Sequence, residues 1–254
     1  MPGRQHRLAA DAAFLGAILC CGVAEAAEED AGREFRDTFA GGKAELTWRP
    51  YELFGDAVVE GQAAEDAPDG DGGIGVLRHE GGRPGTVSYA ETAKAEDGFE
   101  LGAEVYCPFQ KDEARGALTG VAFFVDPDRS GDPEAAGFYR FVCDYRSGEA
   151  AFSLAYVSAR IGRQPLELER WPLIEQPVPL EGRHGWHRLE VRVERGLIDL
   201  FLEGSQLNEW PLPAEDVISD ILEVDAGYAG VYAGHLGPAS PAEARIDGFV
   251  YRVP

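Results

Sequence analysis

Lysine is nearly absent from the chain. Among 254 residues it occurs only at Lys43, Lys94 and Lys111, and 23 Lys and Arg together face 45 Asp and Glu, for a formal charge of −22. Phosphate recognition needs a basic face, so this balance excludes nucleic-acid binding as the default function. No apolar run approaches the roughly 20 residues that span a bilayer, so no membrane insertion is expected. Cysteine is scarce, and neither Cys107 nor Cys143 has the spacing of a zinc site. No Gly-rich phosphate cradle is present, and the five histidines form no Ser-His-Asp or Cys-His set that spacing can support.

What is plentiful is turn chemistry: 32 Gly and 16 Pro punctuate short apolar runs. That composition suits an all-β fold better than a helical bundle. Residues 1–26 read as a secretory signal: Arg4 and Arg7 precede the short apolar run Ala12–Ala24, and Ala24-Glu25-Ala26 offers small residues for cleavage. The reading is a soluble secreted or periplasmic protein, with a polar lead-in at 27–33 and one domain at 34–254.

About thirteen strands are expected from period-2 alternation between turn clusters. Phe99, Leu101, Ala103 and Val105 form one face of the clearest, with Glu100, Glu104 and Tyr106 on the other. Leu189, Val191 and Val193 alternate likewise with Arg188, Glu190 and Arg192. One short helical insertion is expected near 213–222, where Val217, Ile218, Ile221 and Leu222 have helical spacing. The strands carrying Cys107 and Cys143 are expected to have one strand between them, about two 4.8 Å spacings. That separation is too wide for a disulfide, so both are read as free thiols.

Gly185-Trp-His-Arg-Leu-Glu-Val-Arg-Val-Glu-Arg-Gly-Leu-Ile-Asp-Leu-Phe-Leu-Glu-Gly204 resembles a hairpin of concanavalin A-like jelly rolls, with Glu203 where that pattern has Asp. Phe35-Arg-Asp-Thr-Phe39, Gly137-Phe-Tyr-Arg-Phe141, Gly230-Val-Tyr232 and Ala244–Tyr251 follow in the family's order. The resemblance covers about residues 34–253 and looks like the laminin-G-like group, including 3-keto-disaccharide hydrolase-type domains. It implies a two-sheet antiparallel jelly-roll sandwich whose first and last strands are neighbours. It also implies a concave face, which in many relatives binds a saccharide. The E-x-D-x-x-E motif of the family 16 glycoside hydrolases is missing: Glu223-Val-Asp225 lacks the second Glu.

Several residues could carry chemistry. Glu167, Glu169 and Trp171 share a face by alternation, as paired carboxylates beside a stacking ring; a solvent-facing strand edge is the alternative. Arg140 and Asp144 would be costly to bury alone, so they either pair with each other or line the concave surface beside Glu104 and Tyr106. The expected ligand-binding set is therefore Glu104, Tyr106, Arg140, Asp144, Glu169 and Trp171, and the candidate catalytic acids are Glu167, Glu169 and Asp144. Asp126, Asp128 and Asp132 resemble the start of a calcium loop, with an Asp-capped turn as the alternative; calcium is the one cofactor the sequence admits. Asp66–Gly73 reads as a solvated loop. The functional reading is an exported carbohydrate-binding domain without catalysis. The rivals are a glycoside hydrolase or 3-keto-disaccharide-type enzyme on the same fold, and an adhesion or scaffold module binding a protein.

Overall fold

The computed structural model describes residues 32–81, 85–95, 98–107, 116–128, 137–144, 151–158, 166–172, 184–208, 212–213, 227–235 and 241–253. Its strands are β1 (Arg33–Asp37), β2 (Trp48–Pro50), β3 (Glu60–Ala63), β4 (Gly73–His79), β5 (Gly85–Ala95), β6 (Gly98–Cys107), β7 (Ala117–Val125) and β8 (Gly137–Asp144). They continue as β9 (Ala151–Ser158), β10 (Leu166–Pro172), β11 (Gly185–Glu194), β12 (Leu197–Leu202), β13 (Ser205–Gln206), β14 (Leu212–Pro213), β15 (Gly227–His235) and β16 (Ala242–Val253). Short 3-10 turns at Ala40–Gly42 and Glu52–Phe54 are the helical elements among the described residues. The expected insertion at 213–222 lies almost wholly outside them, as do Glu223-Val-Asp225 and residues 1–31.

All pairings are antiparallel and make two sheets. A nine-stranded sheet runs β13-β12-β11-β6-β16-β4-β3, with β1 also on β16 and β14 also on β12; a seven-stranded sheet runs β10-β9-β8-β7-β15-β5-β2. The first and last strands are neighbours, Arg33 opposite Val253 through Asp37 opposite Phe249.

Alternation decides what lies between the sheets. Phe99, Leu101, Ala103 and Val105 of β6, with Leu189, Val191 and Val193 of β11, are buried in one cluster with Tyr139, Phe141 and Cys143 of β8. A second buried cluster lies on the outer face of the seven-stranded sheet and includes Val87, Leu118, Phe138, Val142 and Tyr232, with Tyr51 and Phe54 from the 3-10 turn. At β7 the alternation breaks. The register with β15 shifts between Tyr228 and Gly230, and Phe124 takes a positive φ of 55°. This bulge turns both Phe123 and Phe124 into the inter-sheet core.

The cysteine expectation needs correcting in its geometry. Cys107 and Cys143 are free and buried, but they stand on β6 and β8, in different sheets, and Cys143 Sγ lies 3.0 Å from Thr119 Oγ1. The chain crosses to the other sheet between β6 and β7 and then stays there through β10, which counting along the chain does not reveal.

An Asp37 clasp folds the segment after β1. This buried carboxylate accepts the backbone N–H groups of Phe39, Glu45 and Leu46, each at 3.1 Å, and Trp48 Nε1–H at 2.9 Å. The clasp seats Phe39 over β4, where a Cβ on Gly75 would collide with the Phe39 ring.

The hairpin from β11 to β12 turns through Arg195 (φ 52°) and Gly196 (φ 73°), both left-handed. Such two-residue turns favour Asn-Gly, and Arg195 is solvent-exposed. Arg195→Asn should therefore stabilise the domain by about 0.5–1 kcal/mol in a urea titration. No gain would mean that the 3.9 Å contact of Arg195 with Glu194 matters more than the turn.

Candidate functional site

The expected ligand-binding residues divide between the two sheets. Arg140 and Asp144 lie on β8 in the seven-stranded sheet, whereas Glu104 and Tyr106 lie on β6 in the nine-stranded one. The expectation that they line one surface together is corrected: a sandwich's outer faces point away from each other.

Arg140 and Asp144 are also closed off, at 3% and 0% exposure. Of the two alternatives foreseen for them, a surface shared with Glu104 and Tyr106 does not hold. Arg140 Nη1–H donates to the Tyr232 hydroxyl at 2.5 Å, with the guanidinium 4.7 Å from that ring's centre. Asp144 Oδ2 accepts the Ser153 hydroxyl at 3.1 Å. Arg140 reaches Tyr232 over β7, whose intervening outward positions are Gly120 and Ala122, too small to obstruct it.

The outer face of this sheet is largely buried and apolar, Val87 of β5 and Tyr232 of β15 included, and becomes more exposed farther along those two strands. Tyr89 and Tyr228 are half-buried there, with ring centres 5.0 Å apart and planes at 44°. Lys94 Nζ lies 5.4 Å from the Tyr228 ring and 4.0 Å from Asp128. Arg49, opposite Tyr89 on β2, pairs with Glu91 at 3.2 Å. Burial, with Tyr228, Glu91 and Asp128 beside it, raises the Tyr89 hydroxyl above the usual tyrosine range.

The outer face of the nine-stranded sheet carries a different cluster. Trp186 and Tyr106 are cross-strand partners with ring centres 5.4 Å apart, and the Tyr106 hydroxyl is 3.1 Å from His184 Nε2. The Arg245 guanidinium lies 4.7 Å from the Tyr106 ring and 5.5 Å from the Trp186 ring, and Asp66 grips it at 2.8 and 3.0 Å. Burial pushes the nearby Glu104 carboxyl up, against the lowering charge of Arg188.

Beside this cluster, the carboxylates of Asp69, Asp71 and Asp247 come within 4.8 Å of one another. Asp247 Oδ1 accepts Gly248 N–H at 2.7 Å and its Oδ2 accepts Asp69 N–H at 3.4 Å. Burial, together with the charges of Asp69 and Asp71, raises the Asp247 carboxyl to about 6. Oxygens bound to one Ca²⁺ at about 2.5 Å stand no more than about 5 Å apart, so this group can coordinate a divalent cation. Sequence reading placed Asp69 and Asp71 in a solvated loop. The D-x-D spacing was visible, but its third member is 176 positions further on, across the β16 pairing.

The expected calcium loop is described only in part. Asp126 Oδ1 accepts Asp128 N–H at 3.0 Å, the bond of a capped turn, and Asp132 lies outside the described residues. Glu167, Glu169 and Trp171 lie on β10, where a bulge falls between Glu167 and Glu169. In the backbone register Glu167 is opposite Val157 and Glu169 opposite Tyr156.

A cleft of about 760 Å³ opens at the sandwich edge and is lined by Glu52, Asp56, Glu60, Glu80, Arg78 and His79 among others. Arg78 is spoken for by Glu60 at 3.4 Å and Glu243 at 3.3 Å. The walls therefore disfavour anions.

No protein-family model and no curated protein matches the chain. Solved structures do. A cellulose-induced protein, Cip1, is similar over 85% of this chain and 96% of its own, at 10% identity and a TM-score of 0.55. The fold is a concanavalin A-like jelly roll. A Bacteroides ovatus family 16 glycoside hydrolase, in complex with a mixed-linkage glucan product, is similar to this jelly roll over 86% of the chain and 99% of its own, at 12% identity and a TM-score of 0.52. A Bacillus subtilis protein of unknown function with a galectin-like fold covers 87% of the chain and 97% of its own, at 13% identity and a TM-score of 0.50.

Proposed function

We propose that this is an exported carbohydrate-binding domain that acts without catalysis, through the outer face of its seven-stranded sheet. The observation that carries the reading is the Tyr89–Tyr228 pair, half-exposed at the edge of an otherwise buried sheet face. Tyrosine rings offer an apolar face to a sugar's C–H groups and a hydroxyl to its oxygens. The flanking Lys94–Asp128 and Arg49–Glu91 pairs add charged donors and acceptors within reach. Arg140 and Tyr232 act beneath, holding β8 and β15 in place rather than touching sugar. Export rests on residues 1–26, and divalent-cation binding, with calcium as the hard-oxygen choice, is assigned to Asp69, Asp71 and Asp247.

The ligand is a neutral or cationic glycan. A chain of charge −22 repels sulfated or uronic polymers at low salt. A glycan array in 20 mM salt should show neutral or amino sugars bound and heparin unbound. Tyr89→Ala and Tyr228→Ala should each weaken binding at least tenfold, about 1.4 kcal/mol, with little change in melting temperature. Tight heparin binding would overturn the charge argument. Turnover of a polysaccharide or a 3-keto sugar would overturn the non-catalytic reading, and wild-type binding by both Tyr variants would overturn the placement.

A further inference from the structure

The outer face of the nine-stranded sheet mostly neutralises itself. Across one row, Arg192, Glu100, Arg252 and Glu34 alternate in sign, with contacts of 2.9, 3.7 and 2.7 Å. Such a row is a solvated surface with no need of a ligand. The row through Trp186, Tyr106 and Arg245 differs in kind: two large rings stand half-exposed beside a guanidinium already oriented by Asp66.

We propose that this row is a second saccharide-binding surface, so that the domain is bivalent. The inference rests on the carbohydrate-binding reading above but on separate residues. Trp186 supplies the broadest ring on the face and Tyr106 stands at 70° to it, so the two rings with Arg245 against them offer a pyranose apolar and donor contacts side by side. Arg245 and Asp66 present a planar set of donors and acceptors, the geometry that vicinal hydroxyls accept two at a time. Their mutual bonds fix both side chains beforehand, so little further ordering is needed on binding. Arg245 and Arg188 face the acids Asp66, Glu104, Glu190 and Asp247 here, so acids outnumber bases, which selects for neutral or amino sugars here too.

The two surfaces cannot serve one sugar unit. Tyr89 and Tyr228 lie on one sheet, Trp186 and Tyr106 on the other, and packed sheets are about 10 Å apart before side chains are added. Two units are held at once, from different chains or from one that loops back. The domain therefore cross-links glycan.

Calorimetry of the full chain with cellohexaose and with a chitosan hexamer tests this, beside turbidity measurements on polymeric chitosan. Two sites per chain and cross-linking are expected. Trp186→Ala should leave one site and end the cross-linking, and Tyr228→Ala should do the same through the other site. Arg245→Gln, which keeps both rings, should weaken the Trp186 site about tenfold and serves if Trp186→Ala fails to fold. A single site lost in Tyr228→Ala and unchanged in Trp186→Ala would overturn bivalence alone. A single site lost in Trp186→Ala would overturn both bivalence and the first placement. No binding of either hexamer by the wild type would overturn both surfaces.

Discussion

Asp37→Ala should unfold much of the domain's stability margin, costing about 3–5 kcal/mol in a denaturant titration. The magnitude follows from what the carboxylate holds. Four donors, three of them backbone N–H groups, converge on two oxygens that solvent does not reach. Removing an acceptor from buried donors costs about 1–3 kcal/mol per group left unsatisfied, and water entering the space recovers part of that loss. The effect should spread to packing, because Asp37 orients Trp48, whose ring lies 5.0 Å from Phe249 and 6.3 Å from Phe39. Asp37→Asn should cost less, since its amide keeps one acceptor while turning a donor toward other donors. A loss below about 1 kcal/mol in Asp37→Ala would show that the segment from Phe39 to Trp48 is held by its apolar contacts alone.

Melting temperatures in chelator should fall as pH rises from about 4 to 6, through the titration of Asp247. Its carboxyl titrates at about 6 in the folded chain against an ordinary 3.8. Between those values the folded state binds more protons than the unfolded one, so raising the pH favours unfolding. The group's contribution is greatest below pH 4 and is lost by pH 6. Solvent reaching Asp69 and Asp71 screens their charges, so the loss is on the order of 1–2 kcal/mol rather than the full linkage value. Millimolar calcium should reverse the slope, because the ion binds the ionised form and stabilises by mass action, about 2.7 kcal/mol at a hundredfold excess over Kd. Asp247→Asn should remove the chelator slope and the calcium gain together. Calcium stabilising the variant as much as the parent would exclude the cluster as its site, and a flat chelator profile in the parent would exclude the titration.

The sequence disclosed the faces of strands far better than their neighbours. Alternation placed Phe99, Leu101, Val105, Leu189 and Val191 in the core because period 2 is a local property of the backbone. It is silent at Phe123–Phe124, where a bulge in β7 adds a residue that nothing local announces. Sheet membership was illegible for another reason. The chain changes sheet at some connections, as from β6 to β7, and keeps to one sheet at others, as from β7 through β10, so nothing local tells that Glu104 and Arg140 face opposite ways from the sandwich. Residues that meet only through strand pairing, such as Tyr89 with Tyr228 or Asp69 with Asp247, had no signature short of the fold itself.

The place of β16 sets an order of events. It runs through the middle of the nine-stranded sheet, between β6 and β4, and carries β1 as well. Until residues 242–253 are available, β4 with β3 and β6 with β11 are separate fragments, and β1 has no partner. The sheet closes through contacts that span nearly the whole chain, the kind that form slowly because loop closure comes before the reward. During synthesis the nine-stranded sheet is therefore kept open by its own topology until β16 is made. For the export proposed above, that delay keeps this half of the sandwich threadable for longer.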